Sequence, residues 1–185
     1  MLVVGQYFPY KGMDIAAEAA RALPDINFKF VGTGERTELF ISENHLRELP
    51  NVNVIPFLQK EELAEEYRKC RLLVLPSRRE CWGLVINEAA SFGTPIVSTF
   101  ESGAGVEFLF DEYPFLLATP CDVLSLKNTI KAAVNMKGIE EYSQYLIKKS
   151  KNYSIERSVM CHLKAFNEDG DCYGKGTYNN SGSGI

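Results

Sequence analysis

The stretch LLVLPSRRECWGLVINEAASFGTPIVST, residues 72–99, contains a complete strand–turn–helix–strand unit. Residues 72–77 are predicted to form a strand that is apolar on both faces, residues 84–92 a helix, and residues 95–99 the next strand. Strands that are apolar on both faces and separated by helices are typical of a parallel sheet covered on both sides. This stretch therefore predicts an α/β fold.

The same alternation of short β-branched runs and longer amphipathic runs extends over most of the chain. About six strands in this length fit an open, doubly wound, Rossmann-like parallel sheet better than a closed barrel. Ligands of such sheets bind beyond the carboxyl ends of the strands, so functional residues are expected in the loops that follow them. The predicted strands are residues 2–4, 28–32, 52–57, 72–77, 95–99 and 115–118, and the predicted helices are residues 13–23, 35–49, 60–70, 84–92, 106–110 and 122–136.

The composition changes towards the end of the chain. Residues 1–137 are predicted to form the Rossmann-like domain. Residues 138–167 are charged and have a helical pattern without a strand. Residues 168–185 are rich in Gly, Ser and Asn, a composition typical of a disordered tail.

The overall composition excludes several classes of function. A net charge of −4 gives no basic field that would hold nucleic acid. No apolar run reaches the roughly 18 residues that a membrane span needs. The five cysteines form no CxxC pair, which argues against a disulfide framework or a zinc site and favours the cytoplasm. With His45 and His162 as the only histidines, we expect no metal site.

Two glutamates lie on either side of a glycine turn, Glu80 before it and Glu88 on the following helix. Gly83 allows the backbone to approach a ligand, and the N–H groups of Gly83, Leu84 and Val85 point out of a helix start, where an anion is favoured. Each glutamate can then accept hydrogen bonds from hydroxyls on one side of a bound phosphate. This arrangement fits a nucleotide sugar, although two glutamates at this spacing, taken alone, are more often ordinary surface acids.

A lysine and two glycines in other loops have weaker signals. Lys11 follows the first strand and could neutralise a diphosphate as a point charge. Taken alone, however, it is more often a solvated loop lysine. Gly32 and Gly34 form a GTG turn that does not fit GxGxxG, so a dinucleotide fingerprint is not supported.

Five segments follow one another along the chain: VGQYFPYKGMDIAAEAA, FVGTGE, NVNVIPFLQKEELAEEYRKCRLLVLPS, ECWGLVINEAASFGTPIVST and SGAGVEFL. Together they resemble the C-terminal, donor-binding domain of retaining GT-B glycosyltransferases of family 4, the glycosyl transferases group 1. The resemblance covers residues 2–136, with weaker agreement to about residue 167. Two glutamates with seven residues between them, followed by Gly93 and Pro95, are specific in this context.

The resemblance implies a role for each candidate residue. Glu80 is implied to contact the hydroxyls of the donor sugar and Lys11 the diphosphate, and these two are the predicted catalytic residues. Glu88 is implied to hold the ribose. The family usually carries an arginine where this chain has Gln6, so one of two expected cations is replaced by an amide. The predicted donor-binding residues are Gln6, Gly32, Phe57, Leu58, Trp82, Gly83, Leu84, Val85 and Glu88.

The resemblance also implies the reaction and its partners. The chain is expected to be the donor half of an enzyme that moves a sugar from a nucleoside-diphosphate sugar to a glycan or lipid-linked acceptor, in polysaccharide or glycolipid biosynthesis. No cofactor or obligatory metal is expected. A missing N-terminal domain would bind the acceptor, and without it the chain would be inactive. Residues 138–167 would return towards that domain, and an exposed face would favour a homo-oligomer.

Some alternatives stay open from the sequence. The chain is expected to be cytoplasmic, with any peripheral contact to the inner membrane face made through the missing domain. A non-catalytic nucleotide-sugar-binding module and a related sugar-nucleotide epimerase domain share much of this pattern. The donor base and sugar are not determined.

Overall fold

Six strands form one parallel sheet in the computed structural model, which describes residues 1–32, 34, 37–55 and 57–166. The order β3-β2-β1-β4-β5-β6 places the first strand in the centre, and Val3 pairs in register with Phe30 on one side and Val74 on the other. The predicted six-stranded, Rossmann-like α/β fold is confirmed. The strands are β1 Leu2–Val4, β2 Phe28–Val31, β3 Val52–Ile55, β4 Leu73–Val74, β5 Ile96–Thr99 and β6 Leu117–Ala118.

The described residues form eight α-helices that follow or connect these strands. Within the first 150 residues, α1 packs against α6, and α4 packs against α3, α5 and α7. These two groups of helices are what a doubly wound sheet needs to cover both faces. The helices are α1 Met13–Arg21, α2 Thr37–Glu43, α3 Lys60–Lys69, α4 Leu84–Ser91, α5 Gly103–Leu109, α6 Val123–Val134, α7 Ile139–Ser150 and α8 Ile155–Phe166.

The core lies between the sheet and these helices. β1, β4 and β5 are buried along their whole length, which agrees with their apolar sequences. Small side chains such as Ala16 and Ala20 on α1 are fully buried. Because the alanine side chain is short, the backbone of α1 can lie close to the elements it packs against, such as α6. This close packing positions the loop that precedes α1.

Several elements are shorter or shifted relative to the sequence predictions. The strand predicted at residues 72–77 is reduced to β4, because Pro76 has no N–H to donate to a neighbouring strand. The helix predicted at residues 35–49 ends at Glu43, and His45 then adopts a left-handed conformation with φ 50°. The short 3-10 helix Leu46–Glu48 follows it.

Two further boundaries move in the second half of the sheet. The helix predicted at residues 106–110 begins earlier, at Gly103, because the Ser102 hydroxyl accepts from the Gly105 N–H at 3.1 Å and caps it. The strand predicted at residues 115–118 keeps only its last two residues, since Pro114–Leu116 form a 3-10 helix.

The chain divides into two compact units, Met1–Ser150 and a second that begins at Lys151. The first unit includes α7 and so extends past residue 137. In the second unit, α8 has no buried residue, and the apolar side chains of Ile155, Val159 and Leu163 are at least half exposed. The tail predicted at residues 168–185 lies outside the described residues. No helix in the described part of the chain has both the length and the apolar character to cross a bilayer.

Candidate functional site

The strand order defines one position in the sheet where a ligand is expected. After β1 the chain continues to β2 and β3 on one side, whereas after β4 it continues to β5 and β6 on the other. The direction of winding therefore reverses between β1 and β4. Ligands of open α/β sheets bind in the crevice at such a switch point, beyond the carboxyl ends of the strands.

The two helices that begin at this crevice start in the same unusual way. The residue before α1 is Gly12, with φ 66°, and the residue before α4 is Gly83, with φ 100°. Because glycine has no side chain, it cannot cap α1 or α4 with a hydrogen bond, whereas the side chains of Ser102 and Asp122 cap α5 and α6. The first N–H groups of α4 therefore remain available to an anion, which the helix dipole favours.

Both glycines are also required by close packing. A Cβ atom at Gly12 would overlap the carbonyl oxygen of Pro76. A Cβ atom at Gly83 would lie 3.0 Å from Leu75 Cδ2 and 3.1 Å from Ser102 Oγ. Gly12 thus lets the loop after β1 lie directly against the backbone of the loop after β4, and the N–H of Glu80 joins that second loop to the loop after β5 by donating to the Glu101 carbonyl.

Lys11 and Glu80 face each other across the crevice. The Lys11 ammonium donates to Glu80 Oε2, and their side chains are only 22% and 13% exposed. The backbone of Glu80 is fixed in turn, because its N–H donates to the Glu101 carbonyl at 2.9 Å. The site thus holds a cation and a hydroxyl acceptor side by side, which is what a phosphate next to a sugar requires.

Glu88 lies one turn into α4 and has a buried partner. Tyr67, on α3, donates its hydroxyl to Glu88 Oε2 at 2.8 Å. Burial of the Tyr67 ring raises the pKa of its hydroxyl, and the nearby Glu88 carboxylate raises it further. Tyr67 therefore stays a neutral donor at physiological pH and orients the carboxylate that the sequence assigned to a ribose.

Trp82 is held through both its side chain and its main chain. Its indole N–H donates to Asn87 Oδ1 at 2.8 Å. Its carbonyl oxygen accepts from the Ser102 hydroxyl at 3.1 Å and from the Ala104 N–H at 2.8 Å. These bonds fix the main chain just before Gly83, at the start of α4.

The other predicted donor-binding residues line two adjoining cavities. Gln6, Gly32, Phe57 and Leu58 line one of about 200 Å³. Phe57 and Leu58 also line the next, of about 360 Å³, whose wall includes Glu88. The smaller cavity is bounded by the segments that follow β1, β2 and β3, and the larger one by the segment after β3 together with α3 and α4.

Leu84 and Val85, the remaining predicted residues, form the first turn of α4. Leu84 is 70% exposed and Val85 is partly buried. The predicted residues thus lie in two neighbouring groups, one at the β1–β4 crevice and one at the adjoining cavities. Their proposed roles stay predictions.

A larger cavity of about 470 Å³ lies at the opposite end of the strands. Met1, Asn27 and Arg71 contribute to its wall, and the ion pair between Lys29 and Glu66 lies beside it. It is at the amino ends of β1 and β2, the end where ligands of open α/β sheets are not expected. We therefore place the functional site at the carboxyl ends.

Sequence reasoning missed several residues that shape the site. Tyr67, on α3, and Asn87, on α4, carry no signal in the sequence that distinguishes them from their helical neighbours. Arg78 and Asp14 form an ion pair behind the crevice, with nitrogen–oxygen distances of 2.5 and 2.6 Å. Nothing in the local sequence signals these partners, because each pair is formed by the fold. No group of three or more His, Cys, Asp or Glu residues in the described ranges is arranged to hold a metal ion.

Comparison with known sequences gives the family. The family model of glycosyl transferases group 1 matches residues 1–153. An uncharacterized glycosyltransferase of Methanocaldococcus jannaschii is 33% identical over 174 residues, which cover 92% of this chain and 48% of that protein. The chain therefore belongs to the glycosyl transferases group 1 family, and it spans about half the length of the curated relatives it matches.

Solved structures share the fold at low sequence identity. Sucrose-phosphate synthase from Thermosynechococcus elongatus superposes with a TM-score of 0.75 at 21% identity, covering 91% of this chain and 45% of that one. Anabaena HepE, solved in complex with UDP and glucose, gives a TM-score of 0.70 at 20% identity and covers 90% and 47%. These likenesses place the sheet and its helices among glycosyltransferase folds of the GT-B type.

Proposed function

We propose that this chain is the C-terminal, donor-binding half of a retaining GT-B glycosyltransferase of family 4. It would hold a nucleoside-diphosphate sugar while the sugar passes to a glycan or lipid-linked acceptor. The observation that carries the proposal is the β1–β4 crevice, where Lys11, Glu80 and the uncapped start of α4 converge.

Each part of the donor has a matching part of the crevice. The diphosphate would lie between the Lys11 ammonium and the N–H groups of Leu84 and Val85. As the diphosphate leaves, negative charge grows on its oxygens, and these donors stabilise it because they are already in place. Glu80 would accept hydrogen bonds from the sugar hydroxyls, and it orients the sugar without forming a covalent bond.

The nucleoside would extend towards the two adjoining cavities. Glu88, oriented by Tyr67, would accept from the ribose hydroxyls. The base would lie against Gly32, Phe57 and Leu58. That HepE is solved with UDP and glucose supports a sugar nucleotide as the class of ligand.

The acceptor and its protein environment belong to the same proposal. Since relatives of this chain are about twice as long, we propose that the acceptor is bound by an N-terminal domain and that this half alone does not catalyse transfer. The exposed apolar side chains of α8 would be covered by that domain or, in its absence, by another copy of the chain. The proposed setting is polysaccharide or glycolipid assembly at the cytoplasmic membrane face. The proposed reaction uses no cofactor.

A thermal-shift screen of the purified chain tests the proposal. A ligand that binds only the folded state raises the melting temperature, so one of UDP, GDP and ADP, with its sugar conjugates, is expected to give a clear increase. The matching nucleoside without phosphates should give a smaller one. If no nucleoside diphosphate raises the melting temperature even at millimolar concentration, the donor-binding assignment is wrong.

A further inference from the structure

We propose that Arg78 and Asp14 form a positioning pair that holds Lys11 against Glu80. The Arg78 guanidinium donates through both terminal nitrogens to the Asp14 carboxylate, at 2.6 and 2.5 Å. The same Nη1 also donates to the Pro9 carbonyl at 2.6 Å. The proposal rests on the proposed function of Lys11 as the cation that faces the diphosphate.

The contacts of Arg78 enclose Lys11 on both sides along the chain. Pro9 begins the short 3-10 helix that ends at Lys11, and Asp14 lies in the first turn of α1. The carbonyl of Tyr10, between them, accepts from the backbone N–H of Arg78 at 2.8 Å. Arg78 therefore binds the segment that carries Lys11 on both sides of the lysine. Its partners are Pro9 and Tyr10, which precede the lysine, and Asp14, which follows it.

That neighbouring loop is the one that carries Glu80. Arg78 precedes Glu80 by two residues, and the N–H of Arg79 also donates to the Tyr10 carbonyl, at 3.2 Å. These two backbone bonds join the loops at a single carbonyl, that of Tyr10. A planar bidentate pair fixes direction as well as distance, so it determines where the lysine and the glutamate meet.

The positive charge of Arg78 and the negative charge of Asp14 neutralise each other. Burial would raise the pKa of the Asp14 carboxyl, but hydrogen bonding and the charge of Arg78 outweigh burial and hold that pKa below its usual value. The carboxylate is thus ionised at neutral pH. Three of the five N–H donors of Arg78 are taken by Asp14 and Pro9. We assign Arg78 a role that acts through Lys11 and not on the phosphate itself.

A double-mutant cycle on the 185-residue chain tests this coupling. The probe is whichever of UDP, GDP and ADP binds the wild type, and its dissociation constant is measured by calorimetry. Arg78→Ala is expected to weaken binding about tenfold, and to have no further effect in a Lys11→Ala background, because coupled residues are not additive. Additive losses would mean that Arg78 contacts the phosphate directly, and would overturn the proposal.

Two milder variants and a matched control separate positioning from folding. Asp14→Asn keeps the shape of the side chain and Arg78→Lys keeps its charge, but each loses the bidentate ion pair. Both should therefore weaken diphosphate binding even where Arg78→Ala does not fold. Arg47→Ala removes another arginine bound to both oxygens of a carboxylate, that of Glu38, and should leave binding unchanged. A lower melting temperature with unchanged diphosphate affinity in both milder variants would contradict positioning.

A readout without nucleotide keeps this proposal separate from the proposed function. NMR of 13C-labelled lysine side chains, with Lys11 assigned by its loss in Lys11→Ala, should show Lys11 immobile in the wild type and mobile in Asp14→Asn. Lys29, paired with Glu66 at 2.6 Å, should stay immobile in both. An unchanged Lys11 signal in Asp14→Asn overturns the positioning pair, whether or not any nucleoside diphosphate binds.

Discussion

Lys11 and Glu80 are 69 positions apart in sequence and form one ion pair in the structure. Each comes from a loop that follows a central strand. The Glu80 N–H donates to the Glu101 carbonyl, and the Tyr10 carbonyl, next to Lys11, accepts from the Arg78 N–H. A cation and a carboxylate so close together neutralise each other, so in the proposed function the donor would offer a phosphate to one and hydroxyls to the other. This pairing favours a ligand that carries both groups over a bare phosphate.

The bond from Tyr67 to Glu88 leads to a prediction about the ribose. Tyr67→Phe keeps the buried ring but removes the hydroxyl that orients the carboxylate. Affinity for the ribonucleoside diphosphate should fall by about 1 kcal/mol, roughly fivefold. The ratio of its dissociation constant to that of the 2′-deoxy form, measured by calorimetry, should move towards one.

A second tyrosine provides the control for this measurement. Tyr145 donates its hydroxyl to the Phe108 carbonyl at 2.9 Å, away from the crevice. Tyr145→Phe should leave the ribose preference unchanged. A Tyr67→Phe variant that still prefers the ribonucleotide as strongly as the wild type would show that Glu88 is not oriented by Tyr67 for this task.

The sequence predicted that Lys11, Glu80 and Glu88 belong to the site, but it did not predict the side chains that they contact. Glu80 and Lys11 each follow an apolar strand, where ligands of this fold bind, and the family resemblance then implied their roles. Tyr67, Asp14 and Arg78 were missed because their importance depends on partners 21 and 64 residues away. Local pattern carries no information about such distant pairs.

At the scale of elements, α4 is the helix on which the site depends. It begins at Gly83 in a left-handed conformation, its N-terminal turn faces the crevice, and Glu88 follows one turn later. The sequence predicted this helix nearly to its ends, because a glycine turn followed by an apolar periodic run is a strong local signal. It predicted α2 less well, since the left-handed His45 that follows it has no glycine to mark it.

The glycine before α4 gives a prediction about stability. Gly83→Ala places a side chain at φ 100° and close to Leu75 and Ser102. Strain of this kind costs about 1–3 kcal/mol, so the urea midpoint of unfolding should fall by a corresponding amount.

Another glycine of the same loops serves as its control. A Cβ atom at Gly5 would meet only Met13 side-chain atoms at 3.9 Å, an ordinary contact. Gly5→Ala should therefore shift the urea midpoint much less than Gly83→Ala. Equal midpoints for Gly83→Ala and the wild type would show that the turn before α4 does not need glycine.

At the scale of the whole molecule, the strand order decides where the site lies. Strong local patterns predicted six strands, but only the fold shows that β1 and β4 are neighbours. That adjacency brings the Lys11 loop to the Glu80 loop and creates the switch point. The order of strands could not be predicted from the chain alone, because it depends on pairing between segments about 70 residues apart.

The central claim is that Lys11 and Glu80 together bind the donor, and calorimetry on charge variants tests it most directly. Titrate the nucleoside diphosphate found in the thermal screen, and its sugar conjugate, into the wild type, Lys11→Ala, Glu80→Gln and the control Lys29→Ala. Lys29 forms a similar ion pair with Glu66 at the opposite end of the sheet, so its loss removes an equal charge without touching the crevice.

Lys11→Ala should weaken both ligands about tenfold or more, because a charge-assisted contact to the phosphate is lost. Glu80→Gln should weaken the sugar conjugate more than the diphosphate, and Lys29→Ala should bind both ligands like the wild type. If Lys11→Ala and Glu80→Gln bind both ligands as tightly as Lys29→Ala does, the crevice between β1 and β4 is not the donor site.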